Sequence, residues 1–137
     1  MIAEPPVGVV IDTASMLAFA RGDGRIAELI VETAAQGAVV GAPAVALLAA
    51  HVAVRGDEAA RARLGLLAVL PAVKVLPMTA EVVREVATTG PGSADLAGVH
   101  TAWATAEHGA YCVSADAGSV PEGLPSWQVY ALTGDVA

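Results

Sequence analysis

The stretch VGVVIDTASMLAFA, residues 7–20, decides the fold class of this chain. Its first five residues, Val7–Ile11, are mostly β-branched, which is typical of a strand buried on both faces. Asp12 follows at once, and residues 13–20 predict a short helix. A carboxylate at the end of a buried strand is either the N-cap of the next helix or a ligand for a bound cation. This stretch alone leaves both interpretations open.

The rest of the chain continues the same alternation of strand and helix. Further strands are predicted at residues 38–40, 73–76, 110–113 and 127–131, and helices at residues 25–36, 43–54, 58–70, 80–88 and 93–108. Alternating strands and helices predict a mostly parallel sheet of about five strands with helices on both faces. With 137 residues, we expect a single domain spanning residues 1–137.

Composition narrows the function classes. The formal net charge is −7, so a broad basic face for nucleic acid is not expected, although a bound cation can reverse the charge locally. The single cysteine, Cys112, excludes an internal disulfide and favours a cytoplasmic protein. The N-terminus MIAEPPVG does not resemble a secretory signal. The long apolar run at residues 37–54 is interrupted by Pro43 and His51, so we expect a strand and a buried helix there, not a membrane span.

Three aspartates lie just after predicted strands or at the start of a predicted helix. Asp12 follows the first strand, Asp95 lies in the first turn of the helix over residues 93–108, and Asp116 follows the fourth strand. Each has a structural interpretation as a cap, a dipole partner or a turn residue. If the first and fourth strands are neighbours, however, all three converge on one edge of the sheet. Three carboxylates that close together need a cation, and Mg²⁺ or Mn²⁺ prefers such oxygen ligands.

The order and spacing of these segments resemble those of a PIN domain. The resemblance covers nearly the whole chain and is carried by VVIDTASMLAFARGD (residues 9–23), GAPAVALLAAHV (residues 41–52) and SADLAGVHTAWATAEHGAYCVSAD (residues 93–116). The nearest type is the toxin ribonuclease of bacterial toxin–antitoxin pairs. It implies a three-layer α/β/α sandwich, cleavage of RNA with Mg²⁺ or Mn²⁺, a homodimer and an antitoxin-like protein partner. Asp12, Asp95 and Asp116 match the family's catalytic and metal-binding acids.

The family's second acid is missing from this sequence. A glutamate usually lies in the helix after the second strand, and the matching residue here is Ala49. His51 does not replace it, because two residues turn a helix by about 200°. The first hypothesis is therefore a PIN-like protein with an incomplete site, weakly active or inactive as a nuclease, that acts by binding. The alternative is an active Mg²⁺- or Mn²⁺-dependent endoribonuclease that uses Asp12, Asp95 and Asp116.

Other candidate residues are interpreted as structural. The cluster of Arg55, Arg61 and Arg63 is either a small basic patch for RNA or a solvated helix face, and an ion pair between Asp57 and Arg61 favours the second interpretation. His100 is expected to pack beside Trp103. Both Trp103 and Trp127 are expected to make core or dimer contacts.

Overall fold

The structure is a computed structural model and describes residues 4–116, 118 and 120–132. A parallel sheet of five strands forms its centre, in the order β3-β2-β1-β4-β5. The strands are β1 Val7–Ile11, β2 Val39–Pro43, β3 Val73–Leu76, β4 Tyr111–Ser114 and β5 Val129–Ala131. The chain runs outward from β1 to β3 and then returns to β4 beside β1. Strand order therefore reverses between β1 and β4, which is where ligands bind in open parallel sheets.

Six helices connect these strands in the described part of the chain. They are α1 Thr13–Ala20, α2 Gly24–Ala35, α3 Ala44–Ala53, α4 Glu58–Leu67, α5 Ala80–Thr89 and α6 Leu96–His108, and a short 3₁₀ turn over Ser126–Gln128 precedes β5. The left-handed conformation of Gly109, with φ of 58°, ends α6. The predicted α/β/α fold is confirmed.

Two hydrophobic clusters lie on opposite faces of the sheet. Ile11 points into the larger one, which the helices α1 to α4 cover. Val10, the preceding residue, points into the smaller one, which includes Ala104 of α6. Because neighbouring side chains of a strand point to opposite faces, β1 is buried on both sides. This arrangement gives the three layers, and it explains the continuous apolar run of the first strand.

Several predicted boundaries are wrong in ways that affect the site. β2 continues to Pro43, which pairs with Leu76 and precedes α3, whereas Pro43 was expected inside the helix. The last helix begins at Leu96 with Asp95 as its N-cap, three residues later than predicted. β4 ends at Ser114, so Asp116 follows the strand by two residues.

The apolar run at residues 37–54 forms β2 and α3, as predicted. In the described part of the chain, none of the helices has the length and apolar character needed to cross a lipid bilayer.

Candidate acidic pocket at the switch point

A pocket opens at the carboxyl end of β1, between α1, α3 and α6. Its volume is about 290 Å³. We call it the acidic pocket, and its lining residues are Asp12, Thr13, Ala14, Leu17, Ala49, Asp95, Ala97, Gly98, Thr101 and Pro121. The pairing of β1 with β4 confirms the neighbouring strands that the sequence analysis required. Residues more than 80 positions apart, Asp12 and Asp95, thus line the same pocket.

Asp12 is a buried carboxylate whose two oxygens have different surroundings. It is only 4% exposed. One oxygen, Oδ1, accepts a hydrogen bond of 2.9 Å from the backbone N–H of Ser15 and so caps α1. The other, Oδ2, is buried and accepts no hydrogen bond from the described residues. A buried carboxylate oxygen with no donor has an energetic cost that a proton or a cation removes.

Burial raises the pKa of Asp12 above its ordinary value of 3.8. The hydroxyl groups of Ser114 and Ser15 and the backbone N–H of Ser15 lower the pKa of Asp12, but their effect is smaller than that of burial. Both hydroxyl groups also have other partners, because Ser15 Oγ donates to Val113 O at 2.9 Å and Ser114 Oγ donates to Asp116 O at 2.7 Å. Asp12 is therefore in an environment that favours neutralisation of its charge.

Asp95 enters the acidic pocket from the start of α6. Its Oδ1 accepts a hydrogen bond of 3.0 Å from the N–H of Gly98, so it also serves as a helix cap. A Cβ atom at Gly98 would lie 2.5 Å from Asp95 Oδ2, so the glycine leaves the space that this carboxylate occupies. Unlike Asp12, Asp95 is exposed to solvent.

Asp116 is placed differently from the other two acids. It is exposed, it is not among the described residues that line the acidic pocket, and its Oδ1 accepts a hydrogen bond of 2.9 Å from Gly118 N–H. Among residues 4–116, 118 and 120–132, no group of three or more His, Cys, Asp or Glu side chains is arranged to hold a metal ion. Two of the three predicted ligands thus line one pocket, and the metal-binding role of all three stays a prediction.

Ala49, where the resemblance leads us to expect an acid, belongs to the same pocket. Ala49 of α3 is half-buried and lines it, whereas His51 is exposed and lines a different cavity. This agrees with the expectation that His51 lies on nearly the opposite side of the helix. The side chain of a glutamate at position 49 would therefore begin at the wall of the acidic pocket.

His100 helps to hold α3 in place beside the pocket. It is fully buried, its ring stacks on Trp103 with a centroid distance of 6.3 Å, and its Nδ1 accepts a hydrogen bond of 3.3 Å from Val45 N–H. Burial lowers the pKa of His100. The expected packing of His100 beside Trp103 is confirmed. Trp127, by contrast, is 72% exposed and does not belong to either core.

Two polar residues of the pocket, Thr13 and Thr101, were not predicted from the sequence. Thr13 donates its hydroxyl to Ala46 O at 3.2 Å, which links α1 to α3 beside Asp12. Thr101 donates to Ala97 O at 2.8 Å, one turn earlier on α6. The helical spacing of Ala97 and Thr101 could have placed both on one side of α6.

The residues present fit a hard divalent cation only in part. Two carboxylates line the acidic pocket, and the unpartnered oxygen of Asp12 is a suitable ligand atom. Most Mg²⁺ sites use one or two carboxylates together with waters or phosphate oxygens, so two acids permit binding. Neither a protein-family model nor a curated protein sequence matches this chain.

Proposed function

We propose that this chain is a PIN-like protein whose metal site is incomplete, and that it is weakly active or inactive as a ribonuclease. The single observation that supports this proposal most strongly is that Ala49 lines the same pocket as Asp12 and Asp95. At the position where the family's second acid is expected, this chain therefore contributes only a methyl group to the wall of the acidic pocket. One ligand or water-holding group is missing from the place where a cation would bind.

A weakened site follows from the chemistry of the two carboxylates. A Mg²⁺ or Mn²⁺ ion, when bound, supplies a Lewis acid that activates water and orients a phosphodiester. The chain's own contribution is to hold Asp12 and Asp95 in place through their helix-capping hydrogen bonds. Without an acid at position 49 the attacking water is poorly held, and a displacement of about 1 Å costs on the order of a hundredfold in rate.

In place of efficient cleavage, we propose a binding role in the cytoplasm, with an antitoxin-like protein or a second copy of the chain as the partner. Leu48 and Val52 support this role, because they lie one turn apart on α3 and are 62% and 51% exposed. Analytical ultracentrifugation tests the homodimer. A single monomeric species at micromolar concentration would contradict it.

The incomplete site is tested by metal titration and RNA cleavage in parallel. We expect calorimetry to show weak Mn²⁺ binding, and a labelled RNA to be cleaved slowly or not at all with Mn²⁺ present. Asp95→Asn removes one carboxylate and should abolish the metal binding that remains. Rapid Mn²⁺-dependent cleavage by the unmodified chain would contradict this proposal.

That contradicting result would favour the second candidate, an active Mg²⁺- or Mn²⁺-dependent endoribonuclease that uses Asp12, Asp95 and Asp116. The observation in its favour is the buried, unpartnered Oδ2 of Asp12, which is typical of an oxygen kept for a cation. Under this candidate, Asp116→Asn lowers the cleavage rate at saturating Mn²⁺. Under the first proposal the same substitution has little effect, because Asp116 is not among the described residues that line the acidic pocket.

A further inference from the structure

A second open cavity lies where α3 is followed by α4, on the side of α3 that carries His51. Its volume is about 470 Å³, larger than that of the acidic pocket. We call it the basic groove, and its lining residues are His51, Arg55, Gly56, Glu58, Arg61 and Ala62. All six are exposed to solvent. The groove thus combines two guanidinium groups and an imidazole with a single carboxylate.

Within the described residues, the guanidinium groups of Arg55 and Arg61 form no ion pair. The ion pairs within the described residues are Arg25 with Asp23 and Lys74 with Glu4. The expected pair between Asp57 and Arg61 is not among them, and this expectation is corrected. Asp57 instead caps α4, where its Oδ1 accepts a hydrogen bond of 3.1 Å from Ala60 N–H.

Arg63 is also separated from this groove. Its Nη1 donates to Ala20 O at 3.1 Å, so this side chain joins α4 to the end of α1. Of the three arginines first considered as a basic patch, Arg55 and Arg61 therefore share a cavity and Arg63 does not. Two guanidinium groups that form no ion pair within the described residues thus share one groove, in a chain whose net charge is −7, and such a local positive charge attracts anions.

We propose that the basic groove binds phosphate groups of single-stranded RNA. Guanidinium groups hold phosphate oxygens through paired, charge-assisted hydrogen bonds. The groove is open and its lining is exposed, which suits an extended chain better than a small molecule, since small-molecule sites bury most of their ligand. The choice of RNA among polyanions rests on the proposed PIN-like function, whereas the phosphate site itself rests on the groove.

The basic groove and the acidic pocket lie on different sides of the same helix. Ala49 lines the pocket, and His51, two residues later, lines the groove. Two residues turn a helix by about 200°, so the groove and the pocket lie on different sides of α3.

The test measures binding of a fluorescein-labelled oligouridylate by anisotropy, in EDTA and at low salt. EDTA removes any contribution from a metal, so failure of the proposed metal site leaves this result unaffected. We expect the double variant R55A/R61A to bind at least about tenfold more weakly than the unmodified chain. The slope of log K against log salt should fall by about 1.4, since each phosphate contact of a single strand contributes roughly 0.7.

The matched control is R21A/R84A, which removes two arginines that are exposed and lie elsewhere on the surface. It changes the net charge by the same amount and should leave most of the affinity intact. Glu58→Gln removes the one carboxylate of the groove and should tighten binding. R55K/R61K keeps the charge, should recover part of the affinity, and shows whether the alanine variant failed for lack of charge.

Three results would overturn the proposal. One is no detectable RNA binding by the unmodified chain at low salt. Another is an equal loss of affinity in R55A/R61A and R21A/R84A, which would indicate attraction by net charge alone. The last is heparin binding that depends on Arg55 and Arg61 without any binding of RNA.

Discussion

The acidic pocket and the basic groove lie on opposite sides of α3, and they differ in how the fold uses their charged residues. In the pocket, Asp12 and Asp95 each cap a helix, through hydrogen bonds to Ser15 N–H and Gly98 N–H. In the groove, Arg55 and Arg61 form no ion pair within the described residues. The acids thus have a structural role as well as a proposed chemical one, while the arginines have none in the described part of the chain.

This difference shows which residues are informative about function. A retained aspartate at a helix N-terminus is explained by stability alone, since such caps contribute about 0.5–2 kcal/mol. An exposed arginine without an ion pair makes no such contribution to stability, and solvation alone is the ordinary state of a surface arginine. The groove is where we propose that a polyanion binds, and the pocket must be tested by chemistry that capping does not explain.

The largest expected effect concerns Cys112, which is fully buried in β4. Burial, together with the charge of Asp12, raises the pKa of its thiol to about 12. Because only the thiolate reacts, we expect modification by a disulfide reagent at neutral pH to be on the order of a thousandfold slower than in the unfolded chain. The ratio of rates without and with urea measures this. Rapid reaction of the native protein would show that β4, the strand beside β1 and Asp12, is accessible to solvent. The acidic pocket would then differ less from the exposed basic groove.

Replacing Asp12 by Asn should stabilise the metal-free protein at neutral pH. The folded-state pKa of Asp12 is raised, so the folded protein holds this proton more tightly than the unfolded chain does. The wild type therefore loses stability as pH rises from 3.8 through the folded-state pKa, and Asn does not. We expect a gain on the order of 1 kcal/mol above that range, because asparagine caps a helix equally well.

Urea denaturation in EDTA across a pH series measures this difference, which should disappear below about pH 3.8. Asp57→Asn is the control, because Asp57 caps α4 from an exposed position. An Asp12→Asn protein that is less stable than the wild type at neutral pH would show that the carboxylate serves the fold alone.

Alanine substitutions at two helix glycines test whether Asp95 occupies the space beside Gly98. Both substitutions improve helix propensity, but only the one at Gly98 would meet the Asp95 side chain. A Cβ at Gly65 of α4 meets nothing within 4 Å, so Gly65→Ala should stabilise the protein by about 0.5–1 kcal/mol. A Cβ at Gly98 would lie 2.5 Å from Asp95 Oδ2, so Gly98→Ala displaces the cap and should give no gain. Chemical denaturation of both variants tests this. Equal stabilisation would mean that Asp95 is not held where the pocket requires it.

The smallest expected effect is on the stability of the groove variants. R55A/R61A should change the free energy of unfolding by less than about 0.5 kcal/mol, since neither arginine pairs within the described residues and surface substitutions of this kind are nearly neutral. Thermal unfolding at several salt concentrations measures it. A larger loss would show that these arginines support the fold, and the contrast between the two sites would fail.

Local pattern was sufficient to predict much of this architecture. The bounds of β1, α1 and β3 follow from apolar runs and caps alone. The neighbouring position of β1 and β4, which the site requires, was an assumption from the sequence that the structure confirms.

What the sequence could not predict depends on distant contacts or on competition between equivalent groups. β2 extends to Pro43 because Leu76 pairs with it from another strand. Ser93 and Asp95 both resemble N-caps, and Ser93 instead accepts a hydrogen bond from Asp95 N–H at 3.1 Å. The orientation of Arg61 depended on whether Asp57 would pair with it or cap α4. The principal residues of both sites were named from the sequence, whereas the structure shows which of them share a cavity.

The central claim is that Ala49 leaves the acidic pocket one carboxylate short, and Mn²⁺ titration of Ala49→Glu tests it most directly. We expect calorimetry to show Mn²⁺ binding at least about tenfold tighter than that of the unmodified chain, a gain of about 1.4 kcal/mol. Ala27→Glu, which adds the same charge at an exposed position of α2, should leave the affinity unchanged. Equal affinities for the unmodified chain and Ala49→Glu, in a variant that remains folded, would contradict the account.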